Sequence, residues 1–310
     1  MPRSPLDHLL DELPDREAAG TAVRRFILGG PFGGEPFETS AQRLTHFADA
    51  GGLLVETSRS YARGRAEGAV GQWLRKNPGA LGVVTKVGHD LTGEDIPLSP
   101  ALVRENVHAS LESLGVDVID VLLFHCDDPS RPVAELADTL VELVAVGYAR
   151  RIGVSNWPAE RLSALAHHLA ERGQTPVASY QFSLAEPDPA LMNGNVHAGA
   201  DVLRVVRDHG LPLLSWSSQA RGFFARTGTR QNDGRPDAFD TAENRLRRRR
   251  CRELADRLGS RPETVALAWT LHHSGVWPSI GPKTTEQLDR SLDALSLSLT
   301  DERVRWLREL

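Results

Sequence analysis

No stretch of this chain approaches the ~18 consecutive apolar residues that a membrane-spanning helix needs. Its opening residues, broken by Pro2, Pro5 and Pro14, lack the apolar centre of a secretion signal. Cysteine is almost absent. Cys126 and Cys251 are too few for the disulfide framework of a small secreted domain, and neither stands in a Cys-x-x-Cys or Cys/His spacing. Both are expected to be free thiols, the protein is expected in the cytoplasm, and no metal site is expected. A large excess of one charge is missing too. A formal net charge of -5 argues against general binding to nucleic acid or to an anionic membrane. The phosphate-binding Gly-x-Gly-x-x-Gly fingerprint is also absent: the glycine-rich loop Pro31-Phe32-Gly33-Gly34 follows the strand ending at Gly29-Gly30, but that spacing and a following helix are missing.

What is present is ordinary material for a soluble core, with 40% hydrophobic and 25% charged residues in 310. Residues 1–22 read as an arm with a short helix around Leu6–Leu13, and residues 23–310 as one domain. Within that domain, apolar runs near 26–30, 53–56, 83–86, 119–124, 151–154, 177–182, 212–216 and 277–281 read as strands. Helical patterns fall near 40–50, 65–76, 100–114, 132–147, 158–171, 198–209 and 242–274, the last a pair broken at Gly259. Eight strands alternating with helices predict a single-domain (β/α)8 barrel, with a doubly wound sheet as the weaker alternative. Ser99-Pro100 and Ser130-Arg131-Pro132 look like helix starts, while Gly115, Gly147 and Gly210 look like helix stops. Two long loops, Gly88 to Pro97 and Ala220 to Asp240, are expected at the active face, the second being either a lid or a surface excursion. The run Arg245 to Arg250 reads as a solvated helix face.

Three consecutive strands end in an ionisable residue: Leu53-Leu54-Val55-Glu56, Val83-Val84-Thr85-Lys86 and Val121-Leu122-Leu123-Phe124-His125. If the strands are parallel neighbours, those three groups emerge at one edge of the sheet and the loop bearing Tyr61 folds over them. Tyrosine, with a reference pKa near ~10, is a poor acid at neutrality, but a neighbouring ammonium favours its phenolate. Lys86 would be that ammonium, Glu56 would keep it charged and aimed, and His125 could donate a hydrogen bond to a carbonyl oxygen.

The arrangement Glu56-Thr57-Ser58-x-x-Tyr61-x-x-Gly64-x-x-Glu67-x-x-x-Gly71, then Thr85-Lys86, then His125-x-Asp127-x-Pro129, resembles the aldo-keto reductases, NADP-dependent carbonyl reductases built on a TIM barrel. That family's tetrad is Asp, Tyr, Lys and His. By position the resemblance puts those roles on Glu56, Tyr61, Lys86 and His125, so the acid departs from the family pattern.

The resemblance extends to a cofactor half. Gly153-Val154-Ser155-Asn156-Trp157 is similar to the family segment whose Ser and Asn bond the nicotinamide carboxamide, which implies Ser155 and Asn156. Standing alone it would be a helix cap. On the next strand Phe182-Ser183-Leu184 matches the family's Tyr-Asn-Leu, which puts Ser179 in the register of the family's glutamine and leaves Gln181 on the same strand face as a second candidate. Trp216 occupies the position of an aromatic that packs on the nicotinamide ring; alone it would read as core. Ser217, Gln219 and Gly222 lie in the segment resembling the family's pyrophosphate cover. Gly281, Lys283, Gln287 and Ser291 match the adenosine end, with Lys283 answering a 2′-phosphate and Ser291 replacing the usual Asn.

The resemblance thus implies NADP(H) and a small carbonyl or alcohol substrate, with Tyr61 as general acid. Two other classes stay open at this level: a catalytically silent barrel that binds NADP as a sensor or partner subunit, and a redox-neutral lyase or isomerase.

Overall fold

The computed structural model describes residues 22–226 and 236–309. Most of the expected arm, its helix around Leu6–Leu13 included, and the stretch 227–235 of the second long loop lie outside the described residues. Eight parallel strands close into one barrel in chain order, β1 to β8. They are β1 (Ile27–Leu28), β2 (Leu54–Glu56), β3 (Gly82–Val87), β4 (Ile119–Phe124), β5 (Ala149–Ser155), β6 (Val177–Gln181), β7 (Leu213–Trp216) and β8 (Val276–Ile280). Closure runs through β1, whose Ile27 faces Leu54 on one side and Ser279 on the other. The Gly29 amide extends that pairing by donating to the Ile280 carbonyl at 2.8 Å.

Side chains on a strand alternate between the barrel interior and the helix layer. Ile27, Leu54, Val84, Val121, Leu123, Val177, Leu214 and Trp277 fill the interior as one buried cluster. Their neighbours, such as Leu28, Val55, Val83, Leu122 and Phe124, face the larger cluster between barrel and helices. Two positions beyond the interior residues, the inward series continues with Glu56, Lys86, His125, Ser179, Trp216 and Ser279. The period of two that builds the apolar core therefore also delivers polar groups to the C-terminal mouth. Gly153 is inward as well; a Cβ there would lie 1.9 Å from the Val177 carbonyl oxygen, so β5 and β6 approach only because that side chain is missing.

The outer helices are α1 (Phe37–Asp49), α2 (Arg65–Lys76), α3 (Pro100–Leu114), α4 (Val133–Ala145), α5 (Ala159–Ala170), α6 (Ala200–Asp208), α7 (Ala242–Leu258), α8 (Pro262–His272), α9 (Thr285–Leu292) and α10 (Asp301–Arg308). Ser99 caps α3 by accepting from the Leu102 amide, with Pro100 in the first turn and left-handed Gly115 (φ 67°) closing the helix. Gly259 (φ 60°) ends α7 in the same way, splitting the expected pair. Ser130 does not cap α4: Pro132 occupies the cap position without a side-chain bond, and the Ser130 hydroxyl turns back to Asp128. The pattern after β8 hid two helices, each started by a threonine: Thr284 accepts from the Gln287 amide and Thr300 from the Arg303 amide. The arginine run on α7 is not simply solvated. Arg247 and Arg248 are buried, and the Arg248 guanidinium lies 4.5 Å from the centre of the Phe223 ring. Among the described residues no helix is long and apolar enough to cross a membrane.

Candidate active site

Glu56 ends β2, Lys86 lies near the end of β3, and His125 follows β4. The Lys86 ammonium stands 2.5 Å from Glu56 Oε1 and donates to Tyr61 Oη at 3.3 Å and to the Thr57 carbonyl at 3.3 Å. Lys86 is fully enclosed, and burial by itself would push its pKa down; the Glu56 carboxylate, and behind it Tyr61, outweigh burial and hold it above the ordinary lysine range. Sequence left open whether the longer acid keeps its contact. It does, because the second carboxylate oxygen accepts a hydrogen bond from Ser279 on β8, across the closure of the barrel. Gly29 leaves the space: a Cβ there would sit 3.0 Å from Ser279 Oγ and 3.9 Å from Glu56 Oε2.

Tyr61 is the exposed member of the group, at 40%. Immediately after it, Ala62 (φ 50°), Arg63 (φ 57°) and Gly64 (φ 81°) are all left-handed. For the two non-glycine residues this costs about 1–2 kcal/mol each, a strain that accompanies the tight turn holding the phenol over the mouth. The imidazole of His125 meets the Tyr61 ring edge-on at 5.6 Å between centroids. Its Nδ1 is 3.1 Å from Ser58 Oγ. Burial, with Lys86 and His89 adding to it, drives the His125 pKa well below the usual imidazole value, so the ring is neutral near pH 7.

The expected cofactor residues fall into two groups around the remaining strands. Ser155 donates to the Ser179 carbonyl at 3.0 Å, and left-handed Asn156 (φ 62°) turns back so that its amide donates to the His125 carbonyl at 3.2 Å and to Ser155 Oγ at 3.0 Å. Asn156 Oδ1 accepts from the Val196 amide at 3.0 Å. Of the two candidates on β6, Gln181 has both ends of its amide engaged, with His197 Nδ1 at 2.6 Å and Ser183 Oγ at 3.0 Å. Ser179 Oγ, fully buried beside Ser155, has no hydrogen-bond partner among the described residues. The indole N–H of Trp216 is likewise buried without one.

The second group joins the loops after β7 and β8. Gln219 donates to Ser291 Oγ at 3.2 Å, and Ser218 donates to the Ser279 carbonyl at 2.7 Å. Ser217 (φ 49°), Ala220 (φ 48°) and Arg221 (φ 50°) are left-handed, as is Gly222 (φ 79°). Lys283 is exposed beyond Gly281. Its amide donates to Gln287 Oε1 at 2.8 Å, and its carbonyl accepts from buried Arg43 at 2.9 Å.

A model of the aldo/keto reductase family matches residues 27–310. The chain belongs to this family. Among its relatives is a norsolorinic acid reductase of Emericella nidulans, 30% identical over 86% of this chain and 70% of that protein. An aryl-alcohol dehydrogenase of Pestalotiopsis microspora is 26% identical over 88% of this chain and 72% of that protein. An aldo/keto reductase of Klebsiella pneumoniae, crystallised with NADP and acetate, has the same fold, with a TM-score of 0.69 at 24% identity over 91% of this chain and 89% of that one.

Within an aldo/keto reductase barrel, sequence reading missed three groups that touch Glu56, Lys86 and His125: Ser58 on His125, Ser279 on Glu56, and the Thr57 carbonyl on Lys86. Ser279 had a usable signal, since it stands two residues before Gly281 and so shares the inward face of β8. Ser58 had none beyond following the strand, and a main-chain carbonyl leaves no trace in the residue pattern.

Proposed function

We propose that the protein reduces an aldehyde or ketone to the alcohol at the expense of NADPH, or catalyses the reverse oxidation. The observation that carries this reading is a single ammonium, Lys86, held between Glu56 at 2.5 Å and the Tyr61 hydroxyl at 3.3 Å beside a neutral imidazole. Tyr61 gives its proton to the carbonyl oxygen as that oxygen gains charge, and Lys86 stabilises the phenolate left behind. Glu56, fixed by Ser279, keeps the ammonium charged and aimed. Ser58 Oγ is nearer to His125 Nδ1 (3.1 Å) than to the Lys86 carbonyl (3.3 Å). That hydroxyl holds the imidazole in place, and a proton carried on Nε2 would orient the substrate carbonyl.

When bound, NADPH supplies the hydride. The unpartnered Ser179 hydroxyl, with Ser155 and Asn156 next to it, suits a carboxamide, which needs both a donor and an acceptor. Trp216 would flank the ring. Ser217, Gln219 and Gly222 would cover the pyrophosphate, their loop already folded in a strained form that an ordinary surface turn avoids. Gly281, Lys283, Gln287 and Ser291 would hold the adenosine, with the Lys283 ammonium answering a 2′-phosphate. Gln181 is assigned to the wall behind the site, since His197 and Ser183 occupy its amide.

The test is NADPH consumption with a panel of aliphatic and aryl aldehydes and ketones, beside the Tyr61→Phe variant. Turnover should fall ~10²–10⁴-fold in that variant, the usual scale for a lost general acid, with NADPH affinity unchanged. Tight NADPH binding without turnover across the whole panel would replace this reading with a silent binding barrel. Conversion of substrate without NADPH consumption would replace it with a lyase or isomerase.

A further inference from the structure

The loop after β3 makes a narrow hairpin beside the tetrad, with His89 and Asp95 paired as an antiparallel bridge across it. Asp90 Oδ1 accepts from the Thr92, Gly93 and Glu94 amides at 2.7, 3.0 and 3.1 Å, which fixes the turn. The imidazole of His89 stacks on His125 at 4.1 Å between centroids and its Nε2 is 2.9 Å from Asp95 Oδ1. From the loop after β4 comes Cys126, whose thiol donates to the Gly88 carbonyl at 3.4 Å. One nitrogen of His89, one oxygen of Asp95 and the sulfur of Cys126 all lie within 4.8 Å of one another.

We propose that His89, Asp95 and Cys126 form a three-ligand site for a thiophilic divalent cation, zinc foremost, on the wall of the substrate cleft. One imidazole nitrogen, one carboxylate oxygen and one sulfur are the donor types that favour zinc over magnesium or calcium. Tetrahedral zinc with ordinary bond lengths spaces such ligands about 3.3–3.6 Å apart, so side-chain shifts of about 1 Å close the set. Asp95 is 72% exposed at its side chain, which gives the ion an entry path and leaves the fourth position to water. Asp127 and Asp128 also lie near the sulfur, but Arg161 answers the first and Arg131 the second. Asp95 is thus the carboxylate left to a cation. On binding, the Cys126 thiol releases its proton to solvent as the sulfur–metal bond forms. Two loops supply the ligands, from residues 89, 95 and 126, so no compact spacing motif announced them. A cation here would tie the hairpin to the end of β4, against the ring of His125.

The experiment is titration of the tag-free, chelator-treated protein with cobalt(II), read by absorption, with zinc displacement to rank affinity. The inference holds if one equivalent binds with the near-ultraviolet thiolate-to-cobalt band and four-coordinate visible bands. That binding should be lost in Cys126→Ser and weakened at least ~10-fold in Asp95→Asn. Cys251 is fully buried and cannot stand in for the thiolate. Asp95→Asn changes an exposed side chain, so it tests the site even if Cys126→Ser unfolds. Binding without the thiolate band, affinity unaltered in Asp95→Asn, or no binding at micromolar cobalt overturns the inference. None of these readouts depends on reductase activity.

Discussion

The two halves of the barrel mouth differ in how much of their hydrogen bonding the chain closes for itself. On the β2–β4 side, the ion pair at the mouth is closed, Glu56 by Lys86 and Ser279 and Lys86 by Glu56, Tyr61 and a carbonyl, and neutral His125 has Ser58, while the neutral Thr57 hydroxyl is buried without a partner among the described residues. On the β6–β8 side, Ser179 Oγ and the Trp216 N–H are buried without one, and the connecting loop carries left-handed Ser217, Ala220 and Arg221. The physical reason is the size of the penalty. A buried unpaired charge is far costlier than a buried unpaired hydroxyl, so the ionised half must be self-sufficient while the neutral half can wait for a ligand.

The largest effect should come from breaking the self-sufficient half. Lys86→Met removes the ammonium from Tyr61 and strands the Glu56 carboxylate, which is only 7% exposed. Turnover should fall ~10²–10³-fold, the range for a lost electrostatic stabiliser, and stability by about 3–5 kcal/mol. In the double variant Glu56→Gln/Lys86→Met the stability should return without the activity. Urea unfolding beside steady-state kinetics separates the two losses, and recovery of both together would refute the assignment of Lys86 to chemistry.

Next is Glu56→Asp, which restores the family's residue and yet should lower turnover about tenfold. The shorter side chain withdraws the carboxylate from Lys86 or from Ser279, and misplacements of about 1 Å are costly at a reacting site. A rise in rate would show instead that Glu56 holds the ammonium poorly. On the other half, Lys283→Met should raise the KM for NADPH roughly fivefold and leave that for NADH unchanged, the limit for an exposed charge pair. Equal effects on the two would place the 2′-phosphate elsewhere.

The same contrast explains what could be read from sequence. Glu56, Lys86 and His125 were legible because each closes an apolar strand, and a period of two then fixes which way it points. The choice between Ser179 and Gln181 was not legible, since both point inward and only the loop carrying His197 and Ser183 decides which has an open side chain. The inward register of Ser279 was readable, but its meeting with Glu56 required the β8–β1 closure, a pairing between residues more than two hundred positions apart. The helices α9 and α10 were overlooked although Thr284 and Thr300 mark their starts, because neither carries an apolar stripe long enough to stand out. The burial of Arg247 and Arg248 likewise depends on Phe223 and Glu186 arriving from other loops.

The smallest effect tests whether the cost of buried charge also governs the helix layer behind the tetrad. Glu67 on α2 is fully buried, and its carboxylate accepts from the Thr85 hydroxyl at 2.6 Å. Burial pushes its pKa up, against the opposing pull of Thr85, Ser110 and Arg59. The folded protein therefore binds the Glu67 proton more tightly than the unfolded chain does. Stability from this group is fully present below the ordinary glutamate pKa of ~4.3 and is lost as pH rises through the higher folded value. Glu67→Gln keeps the acceptor for Thr85 and removes the charge. The variant should match the parent near pH 4 and become the more stable of the two by pH 7.5, with the gap opening between those limits. Urea unfolding at several pH values reads it directly, and a gap that is constant or of opposite sign would mean that the Thr85 bond and Arg59 more than compensate the carboxylate for its loss of water.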